Sequence, residues 1–199
     1  MKFPRVSSVI FVRVAIVAVM ALIVAVGMYW RNAHTVAKHR FVEVDAGRLY
    51  RSRQPLEEHL RNHTGPLDIR RIVNLRPESE DRPPGIFAME VRVCRELGIE
   101  MVNLPVTEIL PTMDQVVEFL RTARRPGGAT LVHCEHGRNR TSIMVASYRI
   151  VEQGWDAGRA MDEMMSYTNL EKYGLDGPRK FLNQVFEQRE QLQESLHAQ

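Results

Sequence analysis

The chain has 199 residues and a formal net charge of +3, which suits one folded domain plus an appended segment. Its basic residues are scattered and form no basic helix or aromatic-interleaved strand, so nucleic-acid binding is not predicted. The cysteines, Cys94 and Cys134, form no C-x-x-C pair, and no Cys/His spacing is typical of a metal site. We therefore predict neither a metal nor a cofactor. A structural disulfide between the two cysteines is not expected, and redox pairing is a minor alternative.

The first clear feature in chain order is an uncharged apolar stretch, Val14 to Trp30, which follows a basic tail of residues 1–13. A membrane-spanning helix needs roughly 17–25 mostly apolar residues, and Tyr29 and Trp30 fit an interfacial aromatic belt. Arg13 can extend to the membrane interface. We predict an uncleaved single-pass anchor at 14–30. A cleaved signal sequence is the alternative, although its apolar region is normally only about 7–15 residues long.

The orientation of this anchor is weakly determined by sequence, because basic residues flank the span on both sides. A short N-terminal tail before a single span favours a cytoplasmic tail, which would place the following domain on the periplasmic side. Residues 31–40 are interpreted as a polar linker, and residues 41–199 as the globular domain.

Within residues 41–199, short β-type runs alternate with amphipathic helical patterns. This predicts an α/β fold, with a mostly parallel central sheet flanked by helices. Thr112 with Gln115 predicts a capping box, and the polar tail from Glu187 is expected to fray. The expected strands are 41–45, 48–52, 69–75, 99–104 and 130–132. The expected helices are 56–63, 86–97, 113–124, one after Thr141, one capped by Asp156 and running to about Tyr167, and one from Pro178.

The strongest chemical signal is the stretch Ala129–Ser142, where a β-type run ends at His133 and is followed by Cys134, a polar loop and a helical pattern. A strand–loop–helix layout directs backbone N–H groups and a helix N-terminus into one small space, which binds anions. A cysteine beside a helix N-terminus or a cation ionises readily. Arg140 can donate to two phosphate oxygens, and the hydroxyl of Thr141 can hydrogen-bond the sulfur.

This loop resembles the H-C-x5-R-[S/T] signature of the cysteine-dependent protein tyrosine phosphatases, and is most similar to their bacterial and fungal dual-specificity branch. The segments Leu49–Pro55 and Ile72–Arg76 are also similar to that branch, and the resemblance covers roughly Phe41 to Thr168. It implies that Cys134 is the nucleophile, that Arg140 binds phosphate and stabilises the transition state, and that Thr141 stabilises the thiolate. The loop residues whose amides would surround the phosphate are Glu135, His136, Gly137, Arg138 and Asn139.

The sequence departs from the family pattern at the general acid, which the resemblance places as an aspartate on the loop after the preceding strand. No aspartate is present there, and Glu108 occupies the nearest equivalent position. Asp114 is the rival, although it fits the first turn of the helix that Thr112 caps. We expect Glu108 to protonate the leaving group. If neither carboxylate reaches the site, the enzyme would be slow on poor leaving groups.

The resemblance implies hydrolysis of phosphomonoesters, with a phosphorylated protein as substrate of a tyrosine or dual-specificity phosphatase. A phospholipid or inositol phosphate is the alternative substrate, which a membrane anchor favours. A catalytically dead, membrane-tethered phosphate-binding module is the alternative of another class. A rhodanese-like sulfur carrier is disfavoured by Gly137 and by the Arg140-Thr141 ending. Arg51 and Arg53 are interpreted as solvated or locally paired rather than as phosphate ligands, and the polar loop 76–85 as a pocket rim or simply exposed.

Overall fold

The computed structural model of the protein describes residues 8–39, 41–168, 170 and 174–197. The first part of the predicted basic tail, with Lys2 and Arg5, lies outside these residues. The chain divides into two compact units, residues 1–38 and residues 39–199. Each unit is described by itself below.

The first unit is formed by helix α1, Ser8–His39, which continues past Trp30 through the segment interpreted as a linker. Its stretch Val12–Tyr29 has a mean hydropathy of 2.4 and is long and apolar enough to cross a membrane. The side chains of that stretch are exposed on every face of the helix. By length and composition, therefore, the predicted apolar helix is present at the N-terminus.

In the second unit, the described residues form five strands and seven helices, in an order close to the one predicted. The strands are β1 (Val42–Asp45), β2 (Leu49–Arg53), β3 (Ile69–Asn74), β4 (Glu100–Asn103) and β5 (Ala129–Cys134). The helices are α2 (Glu57–His63), α3 (Ile86–Leu97), α4 (Met113–Arg124), α5 (Asn139–Gln153), α6 (Ala157–Tyr167), α7 (Asp176–Glu187) and α8 (Arg189–His197).

The strands form one sheet in the order β1-β2-β5-β3-β4. The edge strand β1 runs antiparallel to β2, while β5 is parallel to β2 on one side and to β3 on the other. The predicted mostly parallel α/β sheet is confirmed. The loop after β5 leaves the carboxyl end of this central strand. It therefore lies at the edge of the sheet where parallel α/β folds place ligands.

Helix α5 is the buried centre of the helical layer. Its side chains from Thr141 to Tyr148 are all buried, and it contacts α4, α6, α7 and α8. Tyr148 lies with its ring centroid 6.5 Å from that of Phe119 on α4. This packing fixes the position of the helix whose first turn carries Arg140 and Thr141.

Local sequence signals set several helix boundaries correctly. Helices α3 and α4 have the predicted limits; Gly98 ends α3 in the left-handed conformation, and Thr112 and Gln115 form the predicted capping box. Asp156 caps α6 by accepting a hydrogen bond from the Arg159 amide at 2.8 Å. The prediction that the chain frays from Glu187 was wrong, because α8 forms there and buries Leu192 against the core.

Candidate active site

Cys134 ends the central strand β5 and is only 3% exposed. In the sheet register it lies beside Arg53 on β2, while His133 lies beside Asn74 on β3. The helix that follows begins at Asn139, so Arg140 stands in the first turn of α5. The structure therefore brings the cysteine, the loop and the helix N-terminus together, in the arrangement that binds an anion.

Gly137 is the position where the loop passes closest to the sheet. Its φ is +64°, and a Cβ there would lie 2.5 Å from the Ser52 carbonyl oxygen and 2.6 Å from the Arg53 amide nitrogen. Both neighbours are backbone atoms of β2, so they cannot move aside as a flexible side chain could. Only glycine fits at this point of the loop.

Arg51 supports the loop from below. It is 2% exposed, and its Nη2 donates to the Gly137 carbonyl oxygen at 2.9 Å and to Ser142 Oγ at 2.6 Å. Its guanidinium also lies 3.8 Å from the ring centroid of Tyr167. The interpretation of Arg51 as a locally paired residue is confirmed, and its partners show that it fixes the loop backbone.

Glu80 holds the guanidinium of Arg140. Its Oε1 accepts from Arg140 Nη1 at 3.1 Å and its Oε2 accepts from Nη2 at 2.7 Å, which is an end-on bidentate pair. Nη1 also approaches the carbonyl oxygens of Leu75 and Val106 at 3.4 and 3.3 Å. Among the described residues, Arg140 Nε makes no hydrogen bond.

Sequence reasoning left open whether the loop 76–85 rims the site, and Glu80 was not among the candidate residues. In the structure this loop is held by Arg76. Arg76 is 3% exposed and donates to the backbone oxygens of Glu80 and Arg82. Asp81 accepts hydrogen bonds from the amides of Gly85 and Phe87, so the end of the loop is tied to α3. The acidic loop is therefore anchored against the signature arginine. The sequence signal that could have indicated this anchoring was Arg76, an arginine directly after a predicted central strand.

Thr141 is fully buried in the first turn of α5, and its Oγ1 has no hydrogen-bond partner among the described residues. The hydrogen bond to the Cys134 sulfur that sequence reasoning expected is therefore not made in this structure. A buried hydroxyl without a partner is costly. The Thr141 hydroxyl, directly after Arg140 in the chain, therefore remains available as a hydrogen-bond donor among the described residues.

The remaining loop residues differ in exposure. His136 is exposed, with its Nδ1 3.7 Å from Glu135 Oε2, and the Glu135 carbonyl oxygen accepts from the Gln54 amide at 3.1 Å. Arg138 is half-buried, and neither it nor Arg53 forms an ion pair or hydrogen bond through its side chain within the described ranges. Asn139 begins α5. Arg138 on the loop and Arg53 at the end of β2 are therefore cations without a counter-charge among the described residues.

Both candidate general acids are exposed. Glu108 lies on the loop after β4, two positions beyond Val106, whose carbonyl oxygen contacts Arg140. Gln115 Nε2 donates to the Pro105 carbonyl oxygen at 2.7 Å, which ties this loop to the start of α4. Asp114 occupies the first turn of α4, as the capping pattern predicts. The assignment of the general acid to Glu108 or Asp114 stays a prediction.

Comparison with known proteins relates this arrangement to phosphatases. The profile of the family described as "DSP-PTPase phosphatase fused to NAD+ Kinase" matches residues 31–178. The dual specificity protein phosphatase TpbA of Pseudomonas aeruginosa strain UCBPP-PA14 is 41% identical over 68 residues, which are 33% of this chain and 31% of that protein. The human phosphatidylglycerophosphatase and protein-tyrosine phosphatase 1 is 27% identical over 139 residues, which are 66% of this chain and 68% of that protein.

Solved structures share the fold. PTPMT1 in complex with PI(5)P has a TM-score of 0.61 at 18% identity, covering 75% of this chain and 96% of that chain. The core catalytic domain of the PP-IP phosphatase SIW14 from S. cerevisiae has a TM-score of 0.59 at 21% identity, covering 72% and 83%. The matched part of this chain spans only 31% and 22% of the two TpbA proteins. The family profile nevertheless matches most of the chain and includes the whole Cys134–Arg140 loop. The chain belongs to the dual-specificity and tyrosine phosphatase family of cysteine-dependent phosphatases.

Proposed function

We propose that the protein hydrolyses phosphomonoesters through a phosphocysteine intermediate. The observation that carries this proposal is the joint placement of Cys134 at the end of β5 and Arg140 in the first turn of α5. The loop between them is closed against β2 at Gly137. An anion bound in this loop would meet the helix N-terminus and the backbone amides, with the cysteine sulfur at its base.

The reaction proceeds in two displacements. The Cys134 thiolate forms a bond to phosphorus while the bond from phosphorus to the leaving oxygen breaks. The loop amides and Arg140 hold the phosphoryl oxygens as charge redistributes. Water then attacks phosphorus, the S–P bond breaks, and the thiolate is restored with the Thr141 hydroxyl as hydrogen-bond donor. Thr141 Oγ1 supports this role because it is buried with no other partner among the described residues.

Glu108 is proposed as the group that gives a proton to the leaving oxygen and later takes one from the attacking water. Its support is position, because it follows Val106, which contacts Arg140. Asp114 is the competing group, in the first turn of α4. Comparing the pH–rate profiles of Glu108→Gln and Asp114→Asn separates the two. The fall in rate at high pH reflects deprotonation of the general acid, so only the variant that lacks the acid should lose this basic limb. If both variants keep that limb, neither residue is the acid.

The favoured substrate class is a phosphorylated protein, as in the TpbA and protein-tyrosine phosphatase relatives. A phospholipid or inositol phosphate is the second candidate, and Arg53 and Arg138 favour it because both lack partners among the described side chains. A substrate with a further anionic group would meet these cations beside the loop. The solved relatives with PI(5)P and with a PP-IP phosphatase activity in their names support the same alternative.

The apolar helix α1 is proposed as a single-pass membrane anchor, which would hold the phosphatase unit close to lipid. Its support is the stretch Val12–Tyr29, which contains no charged residue except Arg13 near its start. A cleaved signal sequence predicts instead a mature chain without this helix, which intact-mass spectrometry of the membrane and soluble fractions would detect. A periplasmic location of the phosphatase unit is tested by protease accessibility in spheroplasts.

The decisive experiment measures hydrolysis of an aryl phosphate by the full chain in detergent micelles, beside Cys134→Ser. We expect turnover by the wild type, and no turnover but retained phosphate binding by the variant. A phosphotyrosine peptide and a phospholipid in micelles then separate the two substrate classes. Activity in Cys134→Ser would refute the cysteine mechanism. Phosphate binding without turnover by the wild type would identify a catalytically dead binding module.

A further inference from the structure

A carboxylate is buried behind the active-site loop. Glu90 on α3 has no exposed surface, although glutamate is almost never fully buried unless it is paired. Its Oε2 accepts from Gln54 Nε2 at 2.9 Å and from Asn74 Nδ2 at 3.4 Å. Its Oε1 lies 2.9 Å from Nε2 of His133, which is also fully buried. These two atoms meet at ion-pair distance without the alignment of a hydrogen bond.

On one side, Glu90 is connected to the nucleophile Cys134 through His133. His133 directly precedes Cys134 on β5, and its Nδ1 lies 3.4 Å from the Cys134 carbonyl oxygen. The imidazole is therefore held between the Glu90 carboxylate and the backbone of the nucleophile itself. A displacement of the ring would therefore change the position of this backbone.

On the other side, Glu90 is connected to Arg140 through a chain of hydrogen bonds. Gln54, which donates to Glu90, accepts from Arg76 Nη1 at 2.6 Å. Arg76 donates to the backbone oxygen of Glu80, and the Glu80 carboxylate holds Arg140 end-on. We refer to this connected set as the polar relay; its members are His133, Glu90, Gln54, Arg76 and Glu80.

A purely structural role would not explain a charged group at this place. A buried ion pair gains little stability over apolar side chains of similar volume, because desolvation offsets the attraction. An apolar side chain on α3 could not, however, hold His133 and Gln54 at once. We propose that Glu90, through the polar relay, is a positioning residue for both the Cys134 nucleophile and the Arg140 guanidinium.

The test uses the full chain in detergent micelles and the isosteric change Glu90→Gln, which keeps shape and removes charge. The readouts are the alkylation rate of Cys134 by iodoacetamide and the Kd for inorganic phosphate. We expect slower alkylation and weaker phosphate binding, each by about 10-fold or more, the effect of losing a hydrogen bond to a charged group. The control is Glu96→Gln, an exposed glutamate of the same helix that pairs with Arg61 and Arg92. It should change either value by less than about threefold.

Two variants separate the two sides of the relay. Glu80→Gln should weaken phosphate binding more than it slows alkylation, and His133→Asn should slow alkylation more than it weakens phosphate binding. If Glu90→Gln behaves like Glu96→Gln in both readouts, even with a lower Tm, Glu90 is structural and the proposal fails. If only one readout changes, Glu90 does not position both groups and the proposal fails in that form.

A measurement on the wild-type chain covers the case in which Glu90→Gln does not fold. Phosphate binding should shift the NMR resonance of the Gln54 side-chain amide, which is bonded to Glu90, and leave that of the exposed Gln191 unchanged. A stationary Gln54 resonance at saturating phosphate would overturn the proposal. The inference rests on the proposed phosphatase function, but neither alkylation nor phosphate binding requires turnover. A chain that hydrolyses no ester would refute that function and still give these readouts.

Discussion

The packing of Gly137 against β2 is tested by adding a single methyl group. In Gly137→Ala the new Cβ would meet the Ser52 carbonyl oxygen at 2.5 Å and the Arg53 amide nitrogen at 2.6 Å. Gly98→Ala is a matched control, because its φ is +67° against +64° for Gly137 and no atom lies within 4 Å of its Cβ. Both changes carry the cost of a left-handed conformation, and only Gly137→Ala adds a clash with backbone.

The magnitudes follow from these two terms. The left-handed conformation costs about 1–2 kcal/mol for an L-residue, and overpacking against an unyielding neighbour adds about 1–3 kcal/mol. For a chain of this size, Tm falls by about 2–4 °C for each kcal/mol. Gly137→Ala should therefore lower Tm by roughly 2–12 °C more than Gly98→Ala does. It should also weaken phosphate binding, because the loop must move away from β2 to admit the methyl group.

The assay is thermal unfolding of both variants in the same detergent, followed by a phosphate titration of each. We expect Gly98→Ala to bind phosphate as the wild type does. Equal Tm values for the two variants, with unchanged phosphate affinity in Gly137→Ala, would show that the loop does not pack against β2 as described.

Three further predictions concern other contacts. Glu80→Gln replaces one charged acceptor of the Arg140 pair, so the kcat/KM for an aryl phosphate should fall by about 10-fold; unchanged kcat/KM would show that the pair does not orient Arg140. Burial, with a smaller contribution from Glu90, raises the pKa of Cys94 to about 12, so iodoacetamide at neutral pH should label Cys134 alone, and two labels per folded chain would contradict this. Tyr148→Phe removes a 2.6 Å hydrogen bond to Asp45; unfolding in urea should show a loss of about 1.5–3 kcal/mol, and an unchanged midpoint would mean that the bond adds no stability.

Much of the fold could be predicted because its signals are local. The limits of α3 and α4 depend on periodicity and on residues such as Gly98 and Thr112, which act within one turn of the chain. The tail showed the limit of this reasoning. The segment after Glu187 is polar in sequence and was expected to fray. It forms helix α8, whose Leu192 is buried in the core. Tertiary packing decided that segment, because short helices gain most of their stability from an apolar face that is covered.

The candidate site divides in the same way. The sequence by itself determined the Cys134–Arg140 spacing, the strand before it, the helix after it and the apolar N-terminal segment. Each of these features depends on residues that are close together in the chain. Only the tertiary structure decided that Glu80 holds Arg140 and that Glu90 contacts His133. These partners lie 60 and 43 positions apart in the chain. No local pattern encodes such pairs, because they exist only once α3 and the loop before it have packed against the carboxyl edge of the sheet.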